Sequence, residues 1–161
     1  MRKCLFLDRD GVINHDPGTY TFRVEDFQLL PSVVPVLKAL QERGYVFVVI
    51  TNQGGVAKGL YTKEDVLKVH YYLRDLLSNE GVELLDIFYS LHHDKIGASI
   101  DRKPDSLMLE RAIYLHSISP EDSYMVGDKD SDIQAAEKVG VKGVKISTNG
   151  DLYSLLELLK G

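Results

Sequence analysis

Apolar and polar residues alternate along the chain with two different periods. Short runs rich in β-branched and aromatic residues predict strands. They occur at Lys3–Asp8, Val46–Thr51, Ile87–Ser90, Ser123–Gly127 and Gly143–Ile146. Between these runs, apolar residues recur every three or four positions, the spacing of a helix with one buried face. The pattern therefore predicts a regular succession of strands and helices.

The ends of the predicted helices carry recognisable signals. Ser32 is a candidate N-cap of a helix that continues to about Arg43, and Gly44 would close it. A second helix opens near Thr62 and stops near Gly81. The remaining helices are predicted from Pro104 to about His116, from Asp130 to about Val139, and after a cap at Asp151.

The succession of strand and helix predicts the fold class. Parallel strands joined by right-handed crossovers are the usual product of such a pattern. The first strand is mostly apolar from Cys4 to Leu7, as expected for a central strand buried on both faces. We predict a three-layer α/β/α Rossmann-like sandwich with a parallel sheet in the order 3-2-1-4-5, forming one domain over residues 1–161.

Composition and charge indicate which kinds of molecule the protein is not expected to bind. The formal net charge is -5 and no block of basic residues occurs, which argues against binding to nucleic acid. No apolar run approaches the roughly 18 residues of a membrane span, and the N-terminus lacks the apolar region of a signal peptide. We expect a cytoplasmic protein, monomeric or weakly dimeric, that binds neither membrane nor nucleic acid. The single cysteine, Cys4, cannot form an internal disulfide.

Polar residues collect where the predicted strands end. Ligands of open α/β sheets bind beyond the carboxyl ends of the strands, so residues from distant parts of the chain should meet there. The segments in question are Asp8-Arg9-Asp10-Gly11, Thr51-Asn52-Gln53-Gly54-Gly55, Asp101-Arg102-Lys103-Pro104 and Gly127-Asp128-Lys129-Asp130-Ser131-Asp132.

These residue types suit phosphoryl transfer. A carboxylate at the end of a buried strand can act as a nucleophile, and a second one two residues later can act as general acid and base. Further carboxylates can hold Mg²⁺, which prefers oxygen ligands. A hydroxyl, an amide and a lysine ammonium can neutralise the charge of the transferring oxygens.

The four segments together resemble the motifs of the haloacid dehalogenase (HAD) superfamily. The resemblance covers almost the whole chain, and the motifs stand in the right order. The details Leu-Asp-Arg-Asp-Gly, Thr-Asn-Gln and Arg-Lys-Pro are similar to one branch of subfamily III. That branch contains the heptose 1,7-bisphosphate phosphatases and the histidinol-phosphate phosphatases.

The resemblance implies a role for each motif residue. Asp8 would be the nucleophile and Asp10 the general acid and base, while Thr51 and Lys103 would bind the transferring phosphoryl group. Magnesium would be held by the Asp8 carboxylate, the Asp10 main-chain carbonyl and the Asp128 carboxylate. Asp132 would lie close to the metal or cap the helix that follows. The substrate contacts of the family map onto Asn52, Gln53, Arg102, Lys129 and the Asp16–Tyr20 loop.

One feature of the branch is missing from this sequence. Its members carry a zinc loop made of three cysteines and one histidine after the third strand. Here Ser90, Ser99 and Asp101 stand at the cysteine positions and only His92 is retained, so zinc is not expected. His92 or His93 either borders the substrate or belongs to an ordinary loop.

The resemblance implies a magnesium-dependent phosphatase that hydrolyses a small phosphate monoester through an aspartyl-phosphate intermediate. The implied substrate is a sugar phosphate such as D-glycero-D-manno-heptose 1,7-bisphosphate. Histidinol phosphate is an alternative, and a non-catalytic binding module on the same fold is another. The acid at position 10 sets the chain apart from dehalogenases, whose halide leaving group needs no proton. The intervals between the motifs leave no room for a cap domain.

Overall fold

The computed structural model describes residues 1–160 and contains a five-stranded parallel sheet in the order β3-β2-β1-β4-β5. The predicted fold class and strand order are therefore confirmed. That residues 1–161 form a single domain stays a prediction. The strands are β1 (Cys4–Leu7), β2 (Val46–Asn52), β3 (Leu84–Ser90), β4 (Tyr124–Gly127) and β5 (Lys142–Lys145).

The central strand β1 explains how the three layers are held together. It pairs in parallel with β2 on one side and β4 on the other, and all four of its side chains are buried. Successive side chains of a strand point to opposite faces of the sheet. Leu5 and Leu7 accordingly join one hydrophobic cluster, and Cys4 and Phe6 join the other.

Helices cover both faces of the sheet. The bounds are α1 (Val33–Glu42), α2 (Lys63–Asn79), α3 (Leu107–His116), α4 (Asp130–Glu137) and α5 (Leu155–Leu158), with a short 3₁₀ helix at Val24–Asp26. Helices α1, α2 and α5 pack in the cluster of Leu5 and Leu7, whereas α3 and α4 pack in the cluster of Phe6. Among the described residues, no helix has the length and apolarity needed to cross a membrane.

Three predicted boundaries were wrong by three residues, and the others agree within about two. Helix α3 begins at Leu107 rather than Pro104, because the Asp105 amide donates to the Arg102 carbonyl (2.9 Å) and closes a turn before the helix. Strand β3 begins at Leu84 rather than Ile87, since its first residue already pairs with β2.

The last helix is a single short turn, Leu155–Leu158, and Asp151 is not its cap. The Asp151 carboxylate instead accepts a hydrogen bond from the amide of Tyr153 (3.0 Å), which forms a turn ahead of the helix.

Candidate active site

A buried lysine joins the ends of three elements at the carboxyl edge of the sheet. The Lys103 ammonium lies 3.0 Å from Asp8 Oδ1 and 2.6 Å from Asp132 Oδ1, and it donates to the Ile50 carbonyl at 2.7 Å. Asp8 directly follows β1, and Asp132 lies in the first turn of α4. The four motifs predicted to converge therefore do so around one ammonium group.

The main chain of Lys103 is held by Asn52 rather than by a helix start. Asn52 Oδ1 accepts from the Lys103 amide (3.0 Å), and Asn52 Nδ2 donates to the Lys103 carbonyl (3.1 Å). The predicted placement of Lys103 at the beginning of a helix is thus wrong, because the segment before Pro104 is a turn. Asn52 still borders the cavity of the site, but its amide is engaged in fixing the lysine.

Asp8, Lys103 and Asp132 form the floor of the site, which carries more negative than positive charge. Burial raises the pKa of Asp8 to about 8; the Lys103 charge opposes this shift, and the charges of Asp132 and Asp10 add to it. Burial would lower the pKa of Lys103, but the charges of Asp8 and Asp132 outweigh it and raise the pKa. The lysine therefore stays charged, and a further cation would stabilise the ionised form of Asp8.

The residues present fit a hard divalent cation. One carboxylate oxygen from each of Asp8, Asp128 and Asp132 lies within 4.8 Å of the others. Asp128 Oδ2 accepts from Thr148 Oγ1 (2.8 Å), whereas Asp128 Oδ1 is buried without a hydrogen-bond partner among the described residues. An unpartnered buried carboxylate oxygen is expected where a metal ion binds.

A glycine leaves the space for this arrangement. Gly11 has a φ of +84°, and a Cβ at this position would lie 2.5 Å from Asp128 Oδ2. A side chain here would therefore both strain the main chain and push the carboxylate away.

Asp132 has partners on both of its oxygens. Oδ1 accepts from Lys103, and Oδ2 accepts from the main-chain amide of Lys129 (3.2 Å) at the start of α4. The carboxylate thus takes part in the N-terminal turn of the helix and also pairs with the buried lysine. Asp132 is also one of the three carboxylates of the candidate metal site.

Asp10 is held by a separate set of donors. Its Oδ1 accepts from Arg9 Nη2 (2.7 Å), Arg9 Nε (3.2 Å) and Asn14 Nδ2 (3.0 Å), and its Oδ2 accepts from Gln53 Nε2 (2.9 Å). Burial alone would raise the pKa of Asp10, but the charge of Arg9 and these hydrogen bonds outweigh burial and lower the pKa. Because the Asp10 side chain makes these hydrogen bonds, its main-chain carbonyl oxygen is the atom left to bind magnesium, as the HAD resemblance implies.

Gln53, a predicted substrate contact, is buried and does not line the cavity of the site. The residue is 1% exposed, and its Nε2 donates to both Asp10 Oδ2 and Thr51 Oγ1 (3.0 Å). Its Oε1 accepts from the Tyr61 hydroxyl (2.8 Å). The amide is therefore fully used inside the protein. Thr51 is also buried, and its role toward the phosphoryl group stays a prediction.

Two residues that support Asp10 were missed by sequence reasoning. Arg9 is almost fully buried, and besides pairing with Asp10 it donates to the Thr21 carbonyl (2.7 Å). Its place between two acidic residues is a signal that could have identified it. Tyr61 lies beyond the Thr-Asn-Gln motif, and nothing in its surroundings in the sequence points to Gln53.

The site opens into a cavity of about 660 Å³. The predicted substrate residues Arg102 and Lys129 lie on its wall, together with His93 and Lys58. Four residues of the predicted Asp16–Tyr20 loop complete the wall: Asp16, Gly18, Thr19 and Tyr20. His93 thus borders the cavity. We call the cavity wall around Arg102 and Lys129 the rim of the site. His92 does not line it, but its main-chain carbonyl accepts a hydrogen bond from Arg102 Nη1 (2.9 Å).

The positions of the zinc loop form a hydrogen-bonded cluster. Asp101 Oδ1 accepts from Ser90 Oγ (2.8 Å) and lies 2.9 Å from His92 Nδ1. Hydroxyl and carboxylate oxygens with a single imidazole do not make the four-ligand set of thiolates and imidazoles that structural zinc requires. These residues therefore do not fit a zinc site. Instead, the hydrogen bond between Ser90 and Asp101 joins the end of β3 to the segment before Arg102.

Fold and site together define a class of protein. The HAD resemblance implied a parallel sheet with carboxylates just after β1 and β4 and a lysine close to the first of them, and the structure has this arrangement. Residues 100–154 match the model of the HAD-hydrolase-like family. The molecule is therefore a HAD-like hydrolase, and the resemblance drawn from the motifs is confirmed.

The chain belongs to the HAD family that includes the D-glycero-D-manno-heptose-1,7-bisphosphate 7-phosphatases. It is 39% identical to the α-heptose enzyme of Photorhabdus laumondii over 86% of this chain and 79% of the relative. It is equally 39% identical to the β-heptose enzyme of Haemophilus ducreyi, over 88% of this chain and 80% of that one.

Solved structures agree with this family. The D,D-heptose 1,7-bisphosphate phosphatase of B. bronchiseptica, complexed with magnesium and phosphate, has a TM-score of 0.80 and 28% identity, covering 88% of this chain and 78% of that chain. A putative HAD-like phosphatase of Mesorhizobium loti has a TM-score of 0.82 and 32% identity, covering 88% and 71%.

Proposed function

We propose that this protein is a magnesium-dependent phosphatase that removes the 7-phosphate of D-glycero-D-manno-heptose 1,7-bisphosphate. The observation that carries the proposal is the buried group of Asp8, Asp132 and Lys103 beside Asp128. It combines a nucleophile, a charge-neutralising ammonium and a candidate cation site in one place. The names of the relatives support the choice of substrate.

In the first step, an oxygen of Asp8 attacks phosphorus, and the bond from phosphorus to the sugar oxygen breaks. Asp10 gives its proton to the departing oxygen. Lys103 and Thr51 neutralise charge on the oxygens of the phosphoryl group as it moves. Magnesium would be held by the Asp8 and Asp128 carboxylates and the Asp10 main-chain oxygen. When bound, it supplies Lewis-acid neutralisation of the phosphate charge.

In the second step, water attacks the phosphorus of the aspartyl phosphate and Asp10 accepts a proton from that water. The bond between phosphorus and the Asp8 oxygen breaks, which releases phosphate and restores both carboxyl groups. The lowered pKa of Asp10 means that its carboxyl group is ionised and free to accept a proton in this step. Its acidic role in the first step requires that substrate binding deliver or retain the proton.

The rest of the substrate would lie along the cavity wall. Arg102 and Lys129 are the candidate contacts for its anionic and hydroxyl groups, together with the Asp16–Tyr20 loop. Gln53 is reassigned from the substrate to the support of Asp10. We further propose that the protein acts in the cytoplasm as a monomer or weak homodimer, without nucleic acid or membrane. Light scattering of the purified protein tests the oligomeric state.

The test of the proposed function is a comparison of substrates. Purified protein is assayed with magnesium on the α and β anomers of the heptose bisphosphate, on histidinol phosphate and on p-nitrophenyl phosphate. We expect the highest kcat/KM for one heptose anomer, and loss of all activity when a chelator removes magnesium. A higher kcat/KM for histidinol phosphate would favour that alternative. Absence of turnover on every ester would indicate a binding module.

A further inference from the structure

We propose that Gln53 and Tyr61 are positioning residues that fix Oδ2 of Asp10 as the atom that exchanges protons with the leaving group and with water. The inference rests on the proposed function, since it concerns the acid–base step of phosphate ester hydrolysis. Gln53 contacts Asp10, Tyr61 contacts Gln53, and neither lines the substrate cavity.

The two oxygens of Asp10 differ in how many donors they face. Oδ1 accepts three N–H groups, two from Arg9 and one from Asn14. Oδ2 accepts a single N–H, from Gln53. A carboxylate oxygen has about two lone-pair directions, so Oδ1 has none left for a proton and Oδ2 has one. The proton that Asp10 gives and takes must therefore sit on Oδ2.

Tyr61 determines which end of the Gln53 amide meets Asp10. Its hydroxyl donates to Gln53 Oε1 (2.8 Å), which turns the NH₂ group toward Asp10 Oδ2 and Thr51 Oγ1. Burial raises the pKa of Tyr61, so the hydroxyl keeps its proton and remains a donor. With the amide reversed, its oxygen would face the Asp10 carboxylate and repel it.

The ring of Tyr61 is itself fixed by packing. It stacks on Phe22 with ring centroids 4.9 Å apart and an interplanar angle of 6°, and Tyr20 lies 5.6 Å away. Gly55 makes room for the ring, because a Cβ there would overlap it. Tyr61 is 5% exposed, so its contact with Gln53 is shielded from water. A hydroxyl that is fixed in place and shielded from water, as in Tyr61, can hold the Gln53 amide in one orientation.

Asp10 loses one proton and regains one in each cycle. The proton leaves Asp10 Oδ2 for the ester oxygen as the bond from phosphorus to that oxygen breaks and the bond to Asp8 forms. It is replaced when water loses a proton to Oδ2 while attacking phosphorus and displacing Asp8. The Gln53 N–H stays on Oδ2 throughout, which holds the free lone pair toward the cavity.

The experiment compares two leaving groups. An alkoxide needs the proton of Asp10, whereas p-nitrophenolate leaves without one. The ratio kcat/KM reports the steps through aspartyl-phosphate formation, where the leaving group departs. Gln53→Leu and Tyr61→Phe are assayed with p-nitrophenyl phosphate and with an alkyl ester, either the heptose bisphosphate or a hexose phosphate. Tyr45→Phe is the control, a buried tyrosine outside the site.

Gln53→Leu should lower kcat/KM for the alkyl ester by about 30-fold and for p-nitrophenyl phosphate by at most about 3-fold. Tyr61→Phe, which keeps the stacked ring, should show the same selectivity with a loss of about 5-fold. Tyr45→Phe should match the wild type on both esters. If Gln53→Leu does not fold, Tyr61→Phe decides.

Equal losses on the two esters, or no loss on either, would overturn the proposed positioning role while the phosphatase activity stands. A wild-type protein that hydrolyses neither ester with magnesium would overturn both the proposed function and this inference.

Discussion

The floor and the rim of the active site are built from the same kinds of residue in opposite surroundings. On the floor, Lys103 is 2% exposed and contacts Asp8 and Asp132 at hydrogen-bonding distance. On the rim, the Lys129 side chain is 63% exposed and lies 3.7 Å from Asp128. Charges interact strongly where water is excluded and weakly where it screens them. Changes on the floor should therefore alter catalysis greatly, and changes on the rim only modestly.

Asp8→Asn should have the largest effect. The amide matches the carboxylate in shape but is a poor nucleophile, so kcat should fall by about 10⁴-fold or more while the fold is kept. Steady-state assays with p-nitrophenyl phosphate, together with circular dichroism, measure both. The control is Asp130→Asn, an exposed carboxylate nearby that pairs with Lys145 (2.7 Å), which should keep near wild-type activity. Activity of Asp8→Asn above a tenth of wild type would remove Asp8 from its role.

Lys103→Ala should come next, with kcat/KM lower by about 100-fold. The variant loses the ammonium that we propose neutralises the transferring oxygens. Replacement by arginine should rescue poorly, because a planar guanidinium does not fit where a compact charge is buried. Lys129→Ala is the matched rim variant, and about a 3-fold loss is expected there. Equal effects at the two lysines would contradict the contrast between floor and rim.

His70 is buried beside Arg9, the residue that pairs with Asp10, and its burial should be visible in the pH dependence of stability. Burial and the neighbouring charge of Arg9 lower the pKa of His70 to about 3, and the imidazole lies 3.3 Å from Arg9 Nη1. In the unfolded chain this histidine takes up a proton below about pH 6.5, whereas in the folded protein it stays neutral until about pH 3. Stability from this group is therefore lost as pH falls through that window, by about 1.4 kcal/mol per pH unit.

Chemical denaturation at several pH values between these limits measures the effect. In His70→Gln, the free energy of unfolding should fall less steeply with decreasing pH than in the wild type. Identical slopes for the two proteins would show that His70 does not remain neutral in the folded state.

A small effect, confined to KM, is expected at Asp101 on the rim. Asp101→Ala removes the hydrogen-bond acceptor of Ser90 and His92. His92 is then held less firmly, and its carbonyl is the acceptor for Arg102. A hydrogen bond of about 1 kcal/mol corresponds to about a 5-fold rise in KM, with kcat within about 2-fold of wild type. Asp105→Ala, at an exposed position of the neighbouring turn, is the control. A large fall in kcat would show that the rim reaches the chemistry directly.

The sheet and the floor were predictable from the sequence for a physical reason. Strands and helices follow from the periods of apolar residues, and the parallel order brings all strand ends to one edge. Asp8, Lys103 and Asp132 were therefore expected to meet, and they do.

The directions of side chains in the loops were not predictable in the same way. Asn52 and Gln53 are neighbours, yet one binds the main chain of Lys103 and the other binds Asp10 and Tyr61. Lys103 and Asp10 are 51 and 43 residues away from Asn52 and Gln53, so no local pattern encodes the choice. For the same reason, the turn that replaced the predicted helix start at Pro104 depends on a tertiary contact that Asn52 makes.

The central claim is that phosphate passes through a covalent bond to Asp8, and chemical trapping tests it most directly. The enzyme is quenched in acid during turnover of p-nitrophenyl phosphate with magnesium, treated with borohydride, digested and mapped by mass spectrometry. Borohydride reduces an aspartyl phosphate to homoserine. We expect homoserine at position 8 in the wild type and none in Asp8→Asn. Full turnover with reduction at Asp10, or with no reduced residue, would contradict it.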